Sequence, residues 1–395
     1  MPYVSTAFGR VLEPLDRHTL SRAVATHDGN RGVGEGDRAW TCQRHLKALV
    51  FAQIAGLGSL RRIVEGLSAR PEALYHLGLR LPKRATLSDA SRDRPSAVFR
   101  DVAAHLMDAV SGRLRREGRA LTELIDASPI PLTDARFAWP ESGDRVRGLK
   151  LYAHYLADEE TPVMVELRSP RQGDNTLARA FVEPRKGATY VFDRGFDEYA
   201  FWQRLHEGGA FFVTRIKKNA ARRETEPVTG PHPAPVLEDS RVRVGGQRVY
   251  GGKPNPLRDT PLREIAIARD GQPPLRLVTN DLSRSAEEIG DLYRQRWRIE
   301  LFFKWIKQNL RIKSFWGRSE NAVKIQLYVA LIAFMLLRIA KDTFAKSHKG
   351  SLREFLTRIG VALLSPVDLT NRAKPPPRPP SRLPQTAQIA MQFGA

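Results

Sequence analysis

The residues from Asp291 to Arg318, DLYRQRWRIELFFKWIKQNLRIKSFWGR, constrain this chain most. They predict one long helix. Its only interior acid, Glu300, lies among eight Lys and Arg: Arg294, Arg296, Arg298, Lys304, Lys307, Arg311, Lys313 and Arg318. A helix turns about 100° per residue, so Tyr293, Arg296, Glu300, Lys304 and Lys307 share one stripe. Ile299, Phe303, Ile306 and Leu310 form an apolar stripe beside it that would dock the helix on a core. Two readings fit the helix alone. In one, Glu300 pairs with Lys304 on a surface helix, an interaction of only about 0.2–0.5 kcal/mol. In the other, Glu300 binds a metal and the cations hold phosphates.

Charge bears on that choice. The chain carries 64 Lys and Arg against 43 Asp and Glu, a formal charge of +21 and a pI near 10.4. Such an excess points to a polyanionic partner, most simply nucleic acid. A generally Arg-rich protein would show the excess too, but not its clustering around Glu300. Cys42 is the only cysteine, which excludes an internal disulfide framework and a Cys-rich zinc site. The N-terminus has no long apolar segment, and the longest apolar run, Leu327 to Leu337, is too short to span a bilayer. The expectation is a soluble intracellular protein of two or three domains.

Residues 1–118 read as an all-α domain. His45 to Leu60 is an apolar helix, Ser59 caps the next one, and Pro95 to Glu117 is a last amphipathic helix. Lys83, Arg84, Arg92 and Arg94 flank a short helix, as in DNA-docking helix-turn-helix modules. From Leu121 the texture changes. Strands are predicted at Leu121–Ile125, Arg147–Ala157, Thr161–Arg168, Ala188–Phe192 and Ala210–Ile216, and helices at Asn175–Val182 and Asp197–Glu207. This order gives an α/β fold with a mixed sheet and flanking helices. Residues 219–284 read as a small β insertion with short runs at Arg241–Tyr250, Leu262–Ala268 and Leu275–Thr279, and Ser283 or Ser285 caps the helical stretch that follows. An apolar helix from Ala322 to Ile339 would cover the sheet. Residues 346–395 read as a C-terminal helix and a basic, Pro-rich tail.

Two aspartates each end a predicted strand: Asp126 after LTELI and Asp193 after ATYVF. Carboxylates at strand ends converge at one sheet edge, and a helix packed there would add Glu300. Three oxygen ligands suit Mg²⁺. Two such ions roughly 3.5–4 Å apart can activate a nucleophile and steady a leaving oxygen. Either aspartate alone fits a turn equally well. His154, Asp134 and Asp197 read as structural.

With these residues assembled, the chain resembles the IS4 family of DDE transposases from bacterial insertion sequences. Tyr293, Arg296, Glu300 and Lys307 fill the signature Tyr-x2-Arg-x3-Glu-x6-Lys, with Trp297 directly after the arginine. The segments Val278–Asn280, Glu287–Ile289 and Phe315–Gly317 follow the family style, and Asp193-Arg194-Gly195 matches its second-aspartate block. The first block reads Asp126-Ala127-Ser128 where many relatives have Asp-Ser-Thr. The resemblance spans about residues 120–340, and the N-terminal stretch looks like a helical domain found in one branch.

The resemblance implies an RNase H-like catalytic domain over 119–345 with a β insertion before the glutamate. It implies a metal-binding catalytic triad of Asp126, Asp193 and Glu300, with Mg²⁺ as cofactor (two ions, Mn²⁺ able to substitute). Tyr293, Arg296, Lys307, Trp297 and Arg194 would contact DNA. Cut-and-paste chemistry on terminal inverted repeats, with no membrane partner, would be carried out by a homodimer on paired double-stranded DNA ends (transposon ends and target), in the cytoplasm at the nucleoid. Excision through a hairpin is also a family implication. The alternatives are an RNase H-like nuclease without strand transfer and a domesticated, non-catalytic DNA-binding protein.

Overall fold

The computed structural model describes residues 6–36, 38–116, 121–142, 146–228, 234–248, 252–310, 312, 314–344 and 350–365. The predicted Arg311, Lys313 and Pro-rich tail lie outside the described residues. Seven helices come first: α1 (Ala7–Leu12), α2 (Arg17–Thr26), α3 (Cys42–Ile54), α4 (Leu60–Ser68), α5 (Pro71–His76), α6 (Arg84–Asp93) and α7 (Ser96–Arg116). Ser59 caps α4 by accepting from the Arg62 N–H. Next come β1 (Thr122–Pro131), β2 (Gly148–Leu156), β3 (Thr161–Arg168), α8 (Asp174–Phe181), β4 (Thr189–Phe192), α9 (Tyr199–Glu207) and β5 (Phe211–Arg215). The strands β6 (Arg222–Pro227), β7 (Val236–Val244), β8 (Leu262–Arg269) and β9 (Gln272–Thr279) follow. The chain closes with α10 (Ala286–Gln295), α11 (Trp297–Asn309), α12 (Glu320–Phe344) and α13 (Leu352–Ala362).

All nine strands form one sheet in the order β3-β2-β1-β4-β5-β9-β8-β7-β6. The pairs β1–β4 and β4–β5 are parallel, and the others are antiparallel. The segment read as a small insertion thus extends the central sheet. Its last strand, β9, lies against β5, and Asn280 locks that junction by accepting from Phe212 N–H (2.8 Å) and donating to Ala210 C=O (2.8 Å). Among the four strands, β6 escaped the sequence reading because its Arg and Glu residues leave no apolar alternation.

Alternating side chains feed two cores, as the two-residue period of a strand requires. Ile125, Tyr190, Phe192, Phe212 and Val278 pack with Trp202 and Phe201 of α9. Leu124, Val191, Val213 and Leu277 face the other way, toward α10, α11, α12 and the N-terminal helices. The second core is continuous from α1 to α13, so the helices α1 to α7 share it with the helices that follow the sheet.

Helix α12 is longer than the apolar run suggested. By length and composition Glu320–Thr343 is enough to cross a bilayer, yet 83% of its most apolar window is buried inside the protein. It is a core helix, packed by α3, α6, α7 and α13. The basic cluster read as a DNA-docking module is partly occupied. Arg94 is buried and donates to Thr41 C=O (2.8 Å), and Arg92 pairs with Asp89 (3.1 Å) and Asp93 (2.8 Å).

Because α12 is the shared wall of this core, Leu336→Ala will destabilise the protein by about 2–5 kcal/mol. Val361→Ala, at a position 87% exposed, will change stability by less than about 0.5 kcal/mol. Equilibrium denaturant unfolding of both variants checks this.

Candidate active site

The first aspartate does not end its strand. β1 runs through Asp126 to Pro131, paired with β2 along its whole length, whereas β4 pairs only with Thr122–Ile125. Sequence reading stopped early because Asp126-Ala127-Ser128-Pro129 looks like a turn. The hydrogen-bond pattern explains why the strand tolerates prolines. Leu132 N–H donates to Arg147 C=O on the β2 side, while Leu121 C=O accepts from Thr189 on the β4 side. Odd positions of β1 therefore face β4, and Pro129 and Pro131 lack an N–H only where that neighbour has ended. At Ala127 the freed donor is taken by Asp126 Oδ1 at 2.8 Å.

Ile125 is in register with Phe192, so Asp126 and Asp193 are the next residues on adjacent parallel strands. Asp193 opens a 3₁₀ turn, Arg194–Phe196, and its Oδ1 accepts from Gly195 N–H (2.7 Å). A Cβ at position 195 would lie 2.9 Å from that oxygen, which accounts for glycine in this turn. Thr214 Oγ fixes the Asp193 carbonyl at 3.1 Å.

Glu300 approaches from α11, on the side of the sheet to which even residues of β1 point. The predicted single helix is divided here. Ser285 and Glu288 form a reciprocal capping box at the start of α10, and α10 gives way to α11 at Arg296. There the Arg296 N–H reaches back three residues to Tyr293 C=O (3.1 Å), and α11 ends at Asn309. Ile299, Phe302, Phe303 and Ile306 bury the inner face of α11. Trp316 Nε1 donates to Leu57 C=O (2.9 Å) and Gln326 Oε1 accepts from Trp316 N–H (2.8 Å), which ties down the chain after α11.

The partner of Glu300 is Arg296 and not Lys304. Arg296 Nη2 donates to Glu300 Oε1 at 2.6 Å, and Nη1 lies 3.9 Å from Asp126 Oδ2. Its guanidinium stands 5.8 Å from the ring of the buried Tyr293. Lys307 Nζ donates to Ser128 Oγ at 2.7 Å. Asp126, Ser128, Glu300, Phe303, Lys304, Lys307 and Gln308 line an open cavity of about 360 Å³. Ser128 escaped the sequence reading; its signal was the strand period, two residues beyond Asp126. Trp297 is 58% exposed, so its ring is not part of the core. Arg194 is exposed beside Asp193. The residues set aside have other partners: Asp134 with Arg136, Asp197 with Lys217 (2.7 Å), and His154 with Glu123 (3.5 Å).

Burial pushes the Asp126 carboxyl up to about 7, and the negative charges of Asp193 and Glu300 push in the same direction. The Ala127 N–H and the Arg296 guanidinium oppose this. Asp126 thus feels the other two acids through a poorly hydrated space. Among the described residues, no three His, Cys, Asp or Glu side chains stand close enough to hold a metal ion as they are. The donor chemistry nevertheless fits one: all-oxygen, hard, and mutually repulsive until a cation is added. Arg296 supplies positive charge between two of the acids.

A transposase DDE domain model matches residues 121–336, and a domain of unknown function (DUF4372) matches residues 4–80. The protein y4zB of Sinorhizobium fredii, assigned as a transposase, is 36% identical over 79% of this chain and 86% of its own length. The chain belongs to the DDE transposase family. A Geobacillus stearothermophilus protein assigned as the transposase of insertion sequence IS5377 is 28% identical over 81% of this chain and 82% of its own. A Synechocystis protein assigned to insertion sequence IS4SA is 26% identical over 65% and 71%. In fold, the transposase is similar to the piggyBac transposase in a synaptic complex with hairpin DNA: TM-score 0.51, 10% identity, covering 99% of this chain and 85% of that one. The sheet with its helices is the RNase H-like DDE fold, preceded by a helical region, and the expected fold class and enzyme class both stand. Enzymes of this family generally use divalent metals.

The raised Asp126 carboxyl sets a stability test in chelator. The folded state keeps this proton up to about pH 7, and the unfolded chain releases it near pH 3.9. Ionisation therefore costs the folded state, and stability falls as pH rises through that window. Asp126→Asn should melt above the parent transposase at about pH 8, by about 2–4 kcal/mol of stability, and close to it at about pH 4. A gap independent of pH would contradict the assignment.

Proposed function

We propose that this transposase binds the terminal inverted repeats of its own insertion sequence and moves it by strand cleavage followed by strand transfer. The observation carrying this reading is that Asp126 and Asp193 directly follow the last registered pair of two adjacent parallel strands, while Glu300 lines one cavity with Asp126 and the charges of both other acids reach Asp126. A structural protein has little reason to bring three repelling acids into one half-buried space. In this reading Asp126, Asp193 and Glu300 are the ligands of two Mg²⁺ ions, which Mn²⁺ can replace. When bound, the ions supply nucleophile activation and charge stabilisation at the leaving oxygen.

The chain's own groups orient the DNA. Arg296, pre-set over Tyr293, turns from Glu300 to the reacting phosphate as a charge-assisted donor. Lys307, held by Ser128, meets a phosphate from the opposite end of the cavity. Trp297 offers an exposed face on which an unstacked base near the cut can rest. Residues 1–118 form the helical part that adds contacts to DNA, 119–345 the catalytic part including the extension 219–284, and 346–395 the terminal helix and tail. Two copies act together on paired ends. The protein works in the bacterial cytoplasm, at the nucleoid.

Purified transposase, incubated with Mg²⁺ and a duplex carrying the element's end, should release a 3′-hydroxyl terminus and join it to a second duplex. Asp126→Asn and Glu300→Gln should each lower cleavage by at least about 10³-fold, in line with loss of a metal-dependent step, while DNA binding persists. Normal cleavage by both variants would defeat the triad assignment. Cleavage without joining would favour a plain nuclease.

Trp297→Ala tests the stacking role separately. It should leave the melting temperature unchanged and weaken binding to end DNA by about 1–3 kcal/mol. A large loss of stability would instead give this ring a packing role.

A further inference from the structure

A second concave site lies beyond the carboxylates, where the 3₁₀ turn after β4 meets the ends of β5, β8 and β9. It encloses about 600 Å³ and is lined by Arg194, Arg215, Ile216, Lys218, Arg222, Arg269, Pro273, Pro274 and Arg276. Six of these residues are cations, and none of the lining residues is an acid. We propose that this basic cavity is a phosphodiester-backbone site, taking about two or three consecutive phosphates of duplex DNA beside the reacting phosphate.

The cations fall into two groups. Arg222 is fixed by the buried Glu264 through two bonds (2.7 and 3.0 Å), and Arg276 reaches both Glu264 (3.2 Å) and Glu238 (2.9 Å). Arg269 is held by Pro273 C=O (2.7 Å). These three form a rigid frame. Arg194, Arg215 and Lys218 have no ion pair or hydrogen bond from their charged ends among the described residues. Setting Glu264 and Glu238 against six cations still leaves a strong local positive charge. Cations gathered without acids repel one another, and an anionic ligand relieves that repulsion.

Position selects the ligand. Arg194 directly follows Asp193, and the positive charge of Arg215 reaches the buried Tyr293 hydroxyl, as does that of Arg296. A line of positive charge therefore runs from the carboxylates through Arg215 into the cavity. It then crosses the sheet from β5 to β9, where Ile216 N–H donates to Arg276 C=O (3.2 Å). Adjacent strands lie about 4.8 Å apart, so cations carried on several strands spread positive charge over an extended surface, which suits a run of backbone phosphates. Neither the signature helix nor the apolar patterning marks this site in the sequence. It arises where the turn after β4 meets residues of the four strands β5, β6, β8 and β9.

The proposal rests on the transposase reading, and its test separates the two. Binding to a random-sequence duplex is followed in chelator, without cleavage, across a range of salt concentrations. Each phosphate contact removed lowers the salt slope by about one and the affinity at about 0.1 M salt by roughly 10-fold. Lys218→Gln and Arg215→Gln should each do so with unchanged melting temperatures, and Lys218→Arg should restore the parent slope. Steep parent binding that neither glutamine variant alters would overturn the cavity assignment and leave the transposase reading intact. Absence of salt-dependent binding by the parent would overturn both. Arg222→Gln is avoided, because it would strand the buried Glu264.

Discussion

The site depends on where β4 stops. β1 needs a partner on each side as far as Ile125 and only one beyond it. The end of parallel pairing opens a notch between two strands whose next residues are both aspartates. From that one constraint follow the free Ala127 N–H that Asp126 takes up and the tolerance for Pro129 and Pro131. The strand period that turns Asp126 and Ser128 toward α11 completes the geometry. A shift of one residue in the β1–β4 register would turn Asp126 into the opposite core, against Trp202 and Phe212.

Charge is the second constraint, and it is balanced locally. Burial first, and then the charges of Asp193 and Glu300, raise the proton affinity of Asp126, and Arg296 offsets some of that effect. The same arginine lies at the α10–α11 junction and over the Tyr293 ring, so helix division, cation–π contact and carboxylate pairing meet in one residue. A guanidinium held this way is pre-organised without being locked, since in the proposed cation site its carboxylate partners would turn to the metal.

Much of this was legible beforehand. The spacing of Tyr293, Arg296, Glu300 and Lys307 signalled the helix face, and the apolar runs ending in Asp126 and Asp193 signalled adjacent strands. What sequence reading missed has physical causes. The break at Arg296 leaves backbone dihedrals helical and so has no Gly or Pro to announce it. β6 is a charged outer strand without apolar alternation. β1 continued past an apparent turn because its prolines face an absent neighbour. Arg94 looked like a DNA contact and is a buried donor to Thr41, because α6 packs against the core helix. The basic cavity required the sheet order, which no local pattern encodes.

The central claim is that Asp126, Asp193 and Glu300 act as one cation site. Titrating Mn²⁺ into the metal-free transposase and following free ion by electron paramagnetic resonance tests it without any reaction. The account predicts saturable binding that Asp126→Asn, Asp193→Asn and Glu300→Gln each weaken by at least about 10-fold. Binding equal to the parent's in all three variants would contradict it.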